Sequence, residues 1–238
     1  MRRRKAGRTA LVTGFEPYGG RSGNPSADVA RALDGARIAG LRVVGRVLPV
    51  ALAGLARRLE ALLDEVRPAV AIATGLAPGE PCIRLERIGT NIADFDIPDN
   101  AGHVARDGRV VPGGPDALLA TLPLRAVRDA MLAAGIPARL SDTAGTYLCN
   151  ATLYALLLAL SRRGPAIPCG FIHLPHAPDQ VAALLAGPAP PPEDRLPSMP
   201  LATMVEALRI AVAVSAAPAG AARPPARRAA STGTGRRA

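Results

Sequence analysis

Apolar residues fall in short runs along the first third of the chain, and the period of those runs alternates. Residues 9–15, TALVTGF, are a nearly continuous apolar run entering a turn of Glu16, Pro17, Gly19 and Gly20, the pattern of a buried strand. NPSADVARAL then predicts a helix, because Asn24 can cap it, Pro25 suits its first position, and Val29, Ala30 and Leu33 share one face. LRVVGRVLPV is strand-like, ALAGLARRLEALLDEV has helical period up to Pro68, and AVAIATG is another short buried strand ending at Gly75. This alternation predicts an α/β fold: a single domain with a mostly parallel central sheet flanked by helices on both faces.

Past Gly75 the order is less regular. PCIRLERIGTNI alternates as a strand or hairpin arm, and DFDIPDNAGHVARDGRVVPGGPD is rich in turn residues, so a loop or hairpin excursion is expected around 80–115. A helix around 116–134, a short strand at ARLS, a helix after Cys149, a strand at CGFIHL and a last helix near 201–215 complete the domain. From about residue 216 the chain is Ala, Pro, Arg, Gly, Ser and Thr, a composition that buries too little apolar area to offset ordering. The expected organisation is a basic N-terminal extension (1–8), one α/β domain (9–215) and a disordered tail (216–238).

Composition narrows the function classes. With 238 residues, 49% of them hydrophobic and 3% aromatic, one core of Ala, Leu, Val and Ile is affordable. The longest apolar run, near 153–160, meets Arg162 and Arg163 well short of the roughly 20 residues that span a bilayer, so no membrane segment is expected. The net charge of +10 suggests nucleic acid until it is located. Arg2, Arg3, Arg4, Lys5 and Arg8 lie at one end and Arg223, Arg227, Arg228, Arg236 and Arg237 at the other, leaving a formally neutral body. No aromatic residues interleave with these arginines, which disfavours nucleic-acid binding and favours solvated tails. Three cysteines without a CxxC fit a reducing compartment, and the basic N-terminus lacks a cleavage signature, so a cytoplasmic location is expected.

The stretch SDTAGTYLCNATLYALLLAL places Cys149 at or just inside a helix start, after capping and flexible residues. Free amides and the helix dipole there can stabilise a thiolate and a developing oxyanion, which makes Cys149 a candidate nucleophile. Cys82 and Cys169 read as small buried hydrophobes. Of the three histidines, His173 follows CGFI at the carboxyl end of a strand, where open α/β sheets place their sites, and is a better base than His103 or His176. Pro175 and Pro178 argue against a helical metal pair at His173 and His176, and neither CxxC nor HExxH is present, so no zinc site is expected. Glu86, in a strand-like run, is a candidate for the carboxylate that orients the imidazole, although its neighbour Arg87 would equally suit a surface pair.

Four stretches resemble the pyrrolidone-carboxylate peptidases (pyroglutamyl peptidase I): LVTGFEPYGGRSGNPS, IRLERIGTN with IPDNAG, SDTAGTYLCN, and GFIHLPHAPDQ. The order Glu86, Cys149, His173 is that family's order, and the resemblance runs from about residue 9 to 212. It implies a cytoplasmic cysteine exopeptidase that removes N-terminal pyroglutamate from peptides through a thioester, without metal or cofactor. Cys149 would be the nucleophile, His173 the acid and base, and Glu86 the residue that orients His173. The resemblance further implies Phe15 and Tyr18 flanking the lactam ring, Ile97 and Leu148 as further walls, Asn24 supporting the turn, and a homodimer or homotetramer. Leu76 stands where the family usually has glutamine, Asp96 where it has arginine, Arg84 where it has Ser or Thr, and Asp142 where it has Asn. Leu76 therefore takes the place of a polar partner to the lactam. Two alternatives stand beside this reading: a divergent thiol hydrolase of the same fold acting on another small acyl amide, and a non-enzymatic binding protein using its basic tails.

Overall fold

The computed structural model describes residues 9–164, 166–187 and 196–217. The chain runs through β1 (Thr9–Phe15), α1 (Pro25–Leu33), β2 (Arg37–Ile38), β3 (Leu41–Leu48), α2 (Leu55–Val66) and β4 (Val70–Leu76). It continues through β5 (Ile83–Glu86), β6 (Ile88–Thr90), β7 (Ala93–Phe95), β8 (Ala105–Gly108), β9 (Ala117–Leu119) and α3 (Leu124–Ala133). The last elements are β10 (Ala138–Ser141), α4 (Leu148–Ser161), β11 (Cys169–Leu174), α5 (Pro178–Leu185) and α6 (Leu201–Ala216).

Seven strands form the central sheet in the order β10-β5-β11-β4-β1-β3-β2. The pairs β1–β3, β1–β4, β4–β11 and β5–β10 are parallel, whereas β5–β11 and β2–β3 are antiparallel. The sheet is thus mostly parallel, with helices on both faces as the alternation predicts. One apolar layer joins Val29 and Leu33 of α1, Val127 and Met131 of α3, and Met204 and Leu208 of α6 to one sheet face. The other joins Leu55, Leu59 and Leu63 of α2 and Leu153, Leu156 and Leu157 of α4 to Ala71, Ala73 and Phe171. Strand β4 is buried along its whole length, as a central strand covered on both sides must be.

The first turn of α1 is built as the sequence suggests. Asn24 Oδ1 accepts the Ser26 N–H at 3.1 Å, and Pro25 occupies the first helical position. Four segments differ from expectation. Strand β5 is no part of the excursion but a member of the central sheet, and only β6–β9 and β7–β8 form separate two-stranded pieces. The helix expected from about 116 begins at Leu124: Ala117–Leu119 pairs with β6 instead, and Pro123 marks the helix start. Helix α5 was not anticipated, although Pro178 at its first position and Gln180, whose Oε1 accepts the Ala177 N–H, are ordinary start signals. Helix α6 runs to Ala216, one residue past the expected end of the domain. The basic extension 1–8 and the tail from 218 lie outside the described residues. Among the described residues no helix is long and apolar enough to cross a membrane.

Candidate active site

Sheet register gathers the candidate residues. Antiparallel pairing of β5 with β11 sets Arg84 opposite His173 and Glu86 opposite Phe171, so Glu86 lies diagonally from His173 on the same face. His173 Nδ1 is 2.8 Å from Glu86 Oε1, with His173 5% and Glu86 0% exposed. A carboxylate only accepts, so Nδ1–H donates to it, and in the neutral imidazole that leaves the free lone pair on Nε2. On its other side β11 pairs with β4, where Gly75 is the partner of His173. A side chain at Gly75 would meet Cys149 Sγ, so the sulfur rests against β4 at the register position of His173. The residues predicted from sequence as nucleophile, base and orienting carboxylate are thus neighbours, although 63 positions separate Glu86 from Cys149.

Cys149 is the second residue of α4, whose cap, Tyr147, makes no side-chain capping bond. The Ala151 N–H is the first to bond back, to Tyr147 O, so the amides of Leu148, Cys149 and Asn150 precede the first helical hydrogen bond. Those amides, with the positive end of the helix, can receive an oxyanion. Asn150 fixes this turn to the excursion: its Oδ1 accepts from Thr90 N and Oγ1, and its Nδ2 donates to Thr90 O and Ile92 O.

The expected stabilisation of the thiolate does not prevail. Protein surrounds Cys149 on most sides, and burial pushes its thiol up to about 12, the charge of Glu86 adding to the rise and Arg84 opposing it. Burial likewise pushes Cys169 up to about 12. Burial raises Tyr18 too, with Cys149 adding to the shift and Arg21 opposing it. Tyr147 is pushed up to about 12, chiefly by burial.

Cys149 opens into a small pocket of about 220 Å³, its open mouth included, lined by Phe15, Tyr18, Asn24, Val50, Leu76, Tyr147 and Leu148. Five of the six expected substrate-binding residues are in this wall. The sixth, Ile97, is 56% exposed and is not one of the lining residues. The side chain of Asn24 is spent on Glu16 O, Ser26 N and Ser26 Oγ, and Ser26 Oγ in turn accepts the Phe15 N–H. Val50 and Tyr147 were missed by sequence reasoning. Tyr147 immediately precedes the cysteine helix and packs edge-on against Phe95 with ring centroids 4.7 Å apart, which no local spacing discloses.

The departures from the family pattern are also placed. Leu76 is buried in the pocket wall. Asp96 and Arg106 form an exposed ion pair on the excursion, and Asp142 pairs with Arg87 at 2.6 Å. Arg84 lies in the site itself. Its Nε is 3.1 Å from Glu86 Oε1, without the alignment of a hydrogen bond. No group of three or more His, Cys, Asp or Glu able to hold a metal occurs among the described residues.

A cysteine thiol at a helix start lining an apolar pocket, with a hydrogen-bonded histidine–carboxylate pair on the adjoining strands, is the arrangement expected of a thiol hydrolase of the α/β class. Comparison with known proteins makes this specific. The sequence profile of the pyroglutamyl peptidase family matches residues 8–217. A pyrrolidone-carboxylate peptidase of Pyrococcus furiosus is 41% identical over 205 residues, covering 86% of this chain and 96% of that protein. One from Chromobacterium violaceum is 47% identical over 173 residues, covering 73% of this chain and 80% of that protein. Among solved structures, a mutant pyrrolidone carboxyl peptidase from P. furiosus aligns with a TM-score of 0.81 at 40% identity, covering 87% of this chain and 97% of that one. The pyrrolidone carboxyl peptidase from Thermococcus litoralis aligns with a TM-score of 0.80 at 40% identity, covering 87% and 92%. The chain belongs to the pyroglutamyl peptidase family of cysteine peptidases.

Proposed function

We propose that this chain hydrolyses the amide bond between an N-terminal pyroglutamyl residue and the rest of a peptide, with Cys149 as nucleophile, His173 as general base and acid, and Glu86 as the group that orients His173. The observation that carries the assignment is the buried 2.8 Å contact between His173 Nδ1 and Glu86 Oε1 beside the cysteine-lined pocket. His173 Nε2 takes the thiol proton as Sγ attacks the pyroglutamyl carbonyl, which offsets the burial that raises the thiol. Glu86 stabilises the imidazolium that results, and the open amides at the start of α4 receive the oxyanion. The imidazolium then returns the proton to the departing amine, leaving a thioester on Cys149. Water, deprotonated by the neutral imidazole, cleaves the thioester and restores the thiol.

A lactam carries no charged amine, which suits the apolar wall of Phe15, Tyr18, Val50, Leu76 and Leu148. With Leu76 apolar and the Asn24 amide committed elsewhere, the polar atoms of the ring are left to main-chain groups and to the hydroxyls of Tyr18 and Tyr147. Release of chromophore from a pyroglutamyl anilide tests the assignment. Cys149→Ser and His173→Ala are each expected to lose about a thousandfold or more of kcat. Turnover of other acyl amides with none of the pyroglutamyl substrate would instead favour the divergent-hydrolase reading raised by Leu76. The resemblance also carries a homodimer or homotetramer and a cytoplasmic location, which sedimentation and cell fractionation test.

A further inference from the structure

The orienting carboxylate is itself incompletely held. Glu86 is fully buried, its Oε1 serves His173, and its Oε2 has no hydrogen-bond partner. A buried carboxylate with one hydrogen bond is costly unless a cation compensates it. Arg84 is that cation: Nε lies 3.1 Å from Oε1, the same oxygen that accepts from His173. Its remaining nitrogens bond elsewhere, NH1 with Glu80 at 3.0 Å and NH2 with Ser141 Oγ at 3.0 Å and Thr143 O at 2.7 Å. Arg139 of β10 grips both oxygens of Glu80 at 3.0 Å. Charges therefore alternate from Arg139 through Glu80, Arg84 and Glu86 to His173, and sheet register places Arg84 directly across from His173.

We propose that Arg84 is a positioning residue for the reaction: it keeps Glu86 oriented as the acceptor for His173, and its charge sets the pH range over which the Cys149–His173 pair works. This rests on the hydrolase reading given above. The guanidinium counters the unfavourable influence of Glu86 on an ionised Cys149 sulfur and weakens the hold of Glu86 on an imidazolium. The other titratable groups in the neighbourhood are Glu80 and Cys82 before β5, Arg139 on β10, and Tyr18, Tyr147 and Arg21 around the pocket. Of these, Tyr18 and Tyr147 sense Cys149, whereas Glu86 and Arg84 are the charges that act on its sulfur.

The test compares Arg84→Met, which keeps the stem and removes the charge, with Arg84→Lys, which keeps the charge and loses the planar fork. Both limbs of the kcat/KM profile against pH are expected to move upward by about half a unit or more in R84M. The cause is that thiol ionisation loses a favourable cation while imidazolium gains an uncompensated carboxylate. At neutral pH kcat should fall about tenfold with KM within about twofold, because Arg84 is not one of the residues lining the pocket. R84K should keep both limbs close to wild type while losing some kcat. A second readout needs no turnover: iodoacetamide alkylation of Cys149 at pH 9 should slow about threefold or more in R84M and recover in R84K. Limbs superimposed on wild type in R84M, or displaced equally in R84K, overturn the proposal, as does an unchanged alkylation rate in R84M. If the wild type fails to cleave the pyroglutamyl anilide, the substrate assignment falls, and the alkylation comparison still decides the role of Arg84.

Discussion

Gly75→Ala probes the contact on which the site depends. Gly75 lies in β4 with no positive φ, so alanine adds no backbone strain and the effect comes from the methyl group alone. That methyl would sit 2.8 Å from Cys149 Sγ and 2.9 Å from Phe171 Cζ, where ordinary contact begins at 3.4 Å. Phe171 is 0% exposed and has no free volume to enter, so the sulfur at the pocket edge has to give way by roughly half an ångström or more. Overpacking of this kind costs about 1–3 kcal/mol of stability. Displacing a reacting atom by about 1 Å costs on the order of a hundredfold in rate, so kcat on a pyroglutamyl anilide should fall by about tenfold to a hundredfold. Gly170→Ala is the control. Its methyl meets Leu122 Cδ1 at 2.6 Å and Cγ at 2.9 Å in the opposite apolar layer, so it should lose similar stability in urea unfolding and keep its kcat. Wild-type kcat in G75A, or an equal kcat loss in both variants, would refute the claim that Gly75 exists to admit the sulfur.

Two further outcomes follow from buried groups. Cys169 is fully buried and burial pushes its thiol from 9.0 to about 12, so both states hold the proton below pH 9, and above it only the unfolded chain releases it. Stability should therefore fall as pH rises from 9 towards 12, by about 1 kcal/mol per pH unit from this thiol, and urea midpoints at pH 8 and pH 10 should converge in Cys169→Ala relative to wild type. Parallel pH slopes in the two proteins would exclude this. Asn150→Ala leaves the Thr90 N–H and the Thr90 and Ile92 carbonyls without their partner, so it should lose about 3 kcal/mol in denaturant unfolding and lower kcat by loosening the cysteine turn. A loss below about 1 kcal/mol would show that the excursion is not anchored through this residue.

What the sequence discloses here is local, and what it conceals depends on register. The Asn24–Pro25 start of α1 and the uniformly apolar β4 are legible because capping chemistry and two-sided burial act within a few residues. The segment Ala117–Leu119 has good helix formers, yet it pairs with Ile88–Thr90 as a strand, since a tertiary partner outweighs a propensity of a few tenths of a kcal/mol per residue. The antiparallel pairing of β5 with β11 joins residues more than 80 positions apart, and no periodicity reports it. Without that register Glu86 next to Arg87 reads equally well as a surface pair, and Arg84 has no visible link to His173. The same holds for Val50 and Tyr147, whose place in the pocket comes from packing between distant elements.

The state of the cysteine shows how magnitude decides between two correct effects. A helix start does favour a thiolate, but a helix dipole contributes about 0.3–1 kcal/mol, up to roughly 2 in partly buried geometry. The rise of Cys149 from 9.0 to about 12 spans three pH units, about 4 kcal/mol, and burial is its largest cause. The dipole therefore loses, and a preformed thiolate is not what the site stores. What it stores is a proton acceptor: an imidazole whose Nδ1–H is committed to a buried carboxylate, with its other nitrogen free. On the proposed mechanism, ionisation of the sulfur would be coupled to arrival of the substrate carbonyl, because the charge that burial penalises on sulfur would pass at once to an oxygen facing the open amides of α4. Desolvation would then act as a restraint on the resting thiol, opposing its ionisation until a substrate whose carbonyl can take up the charge occupies the pocket.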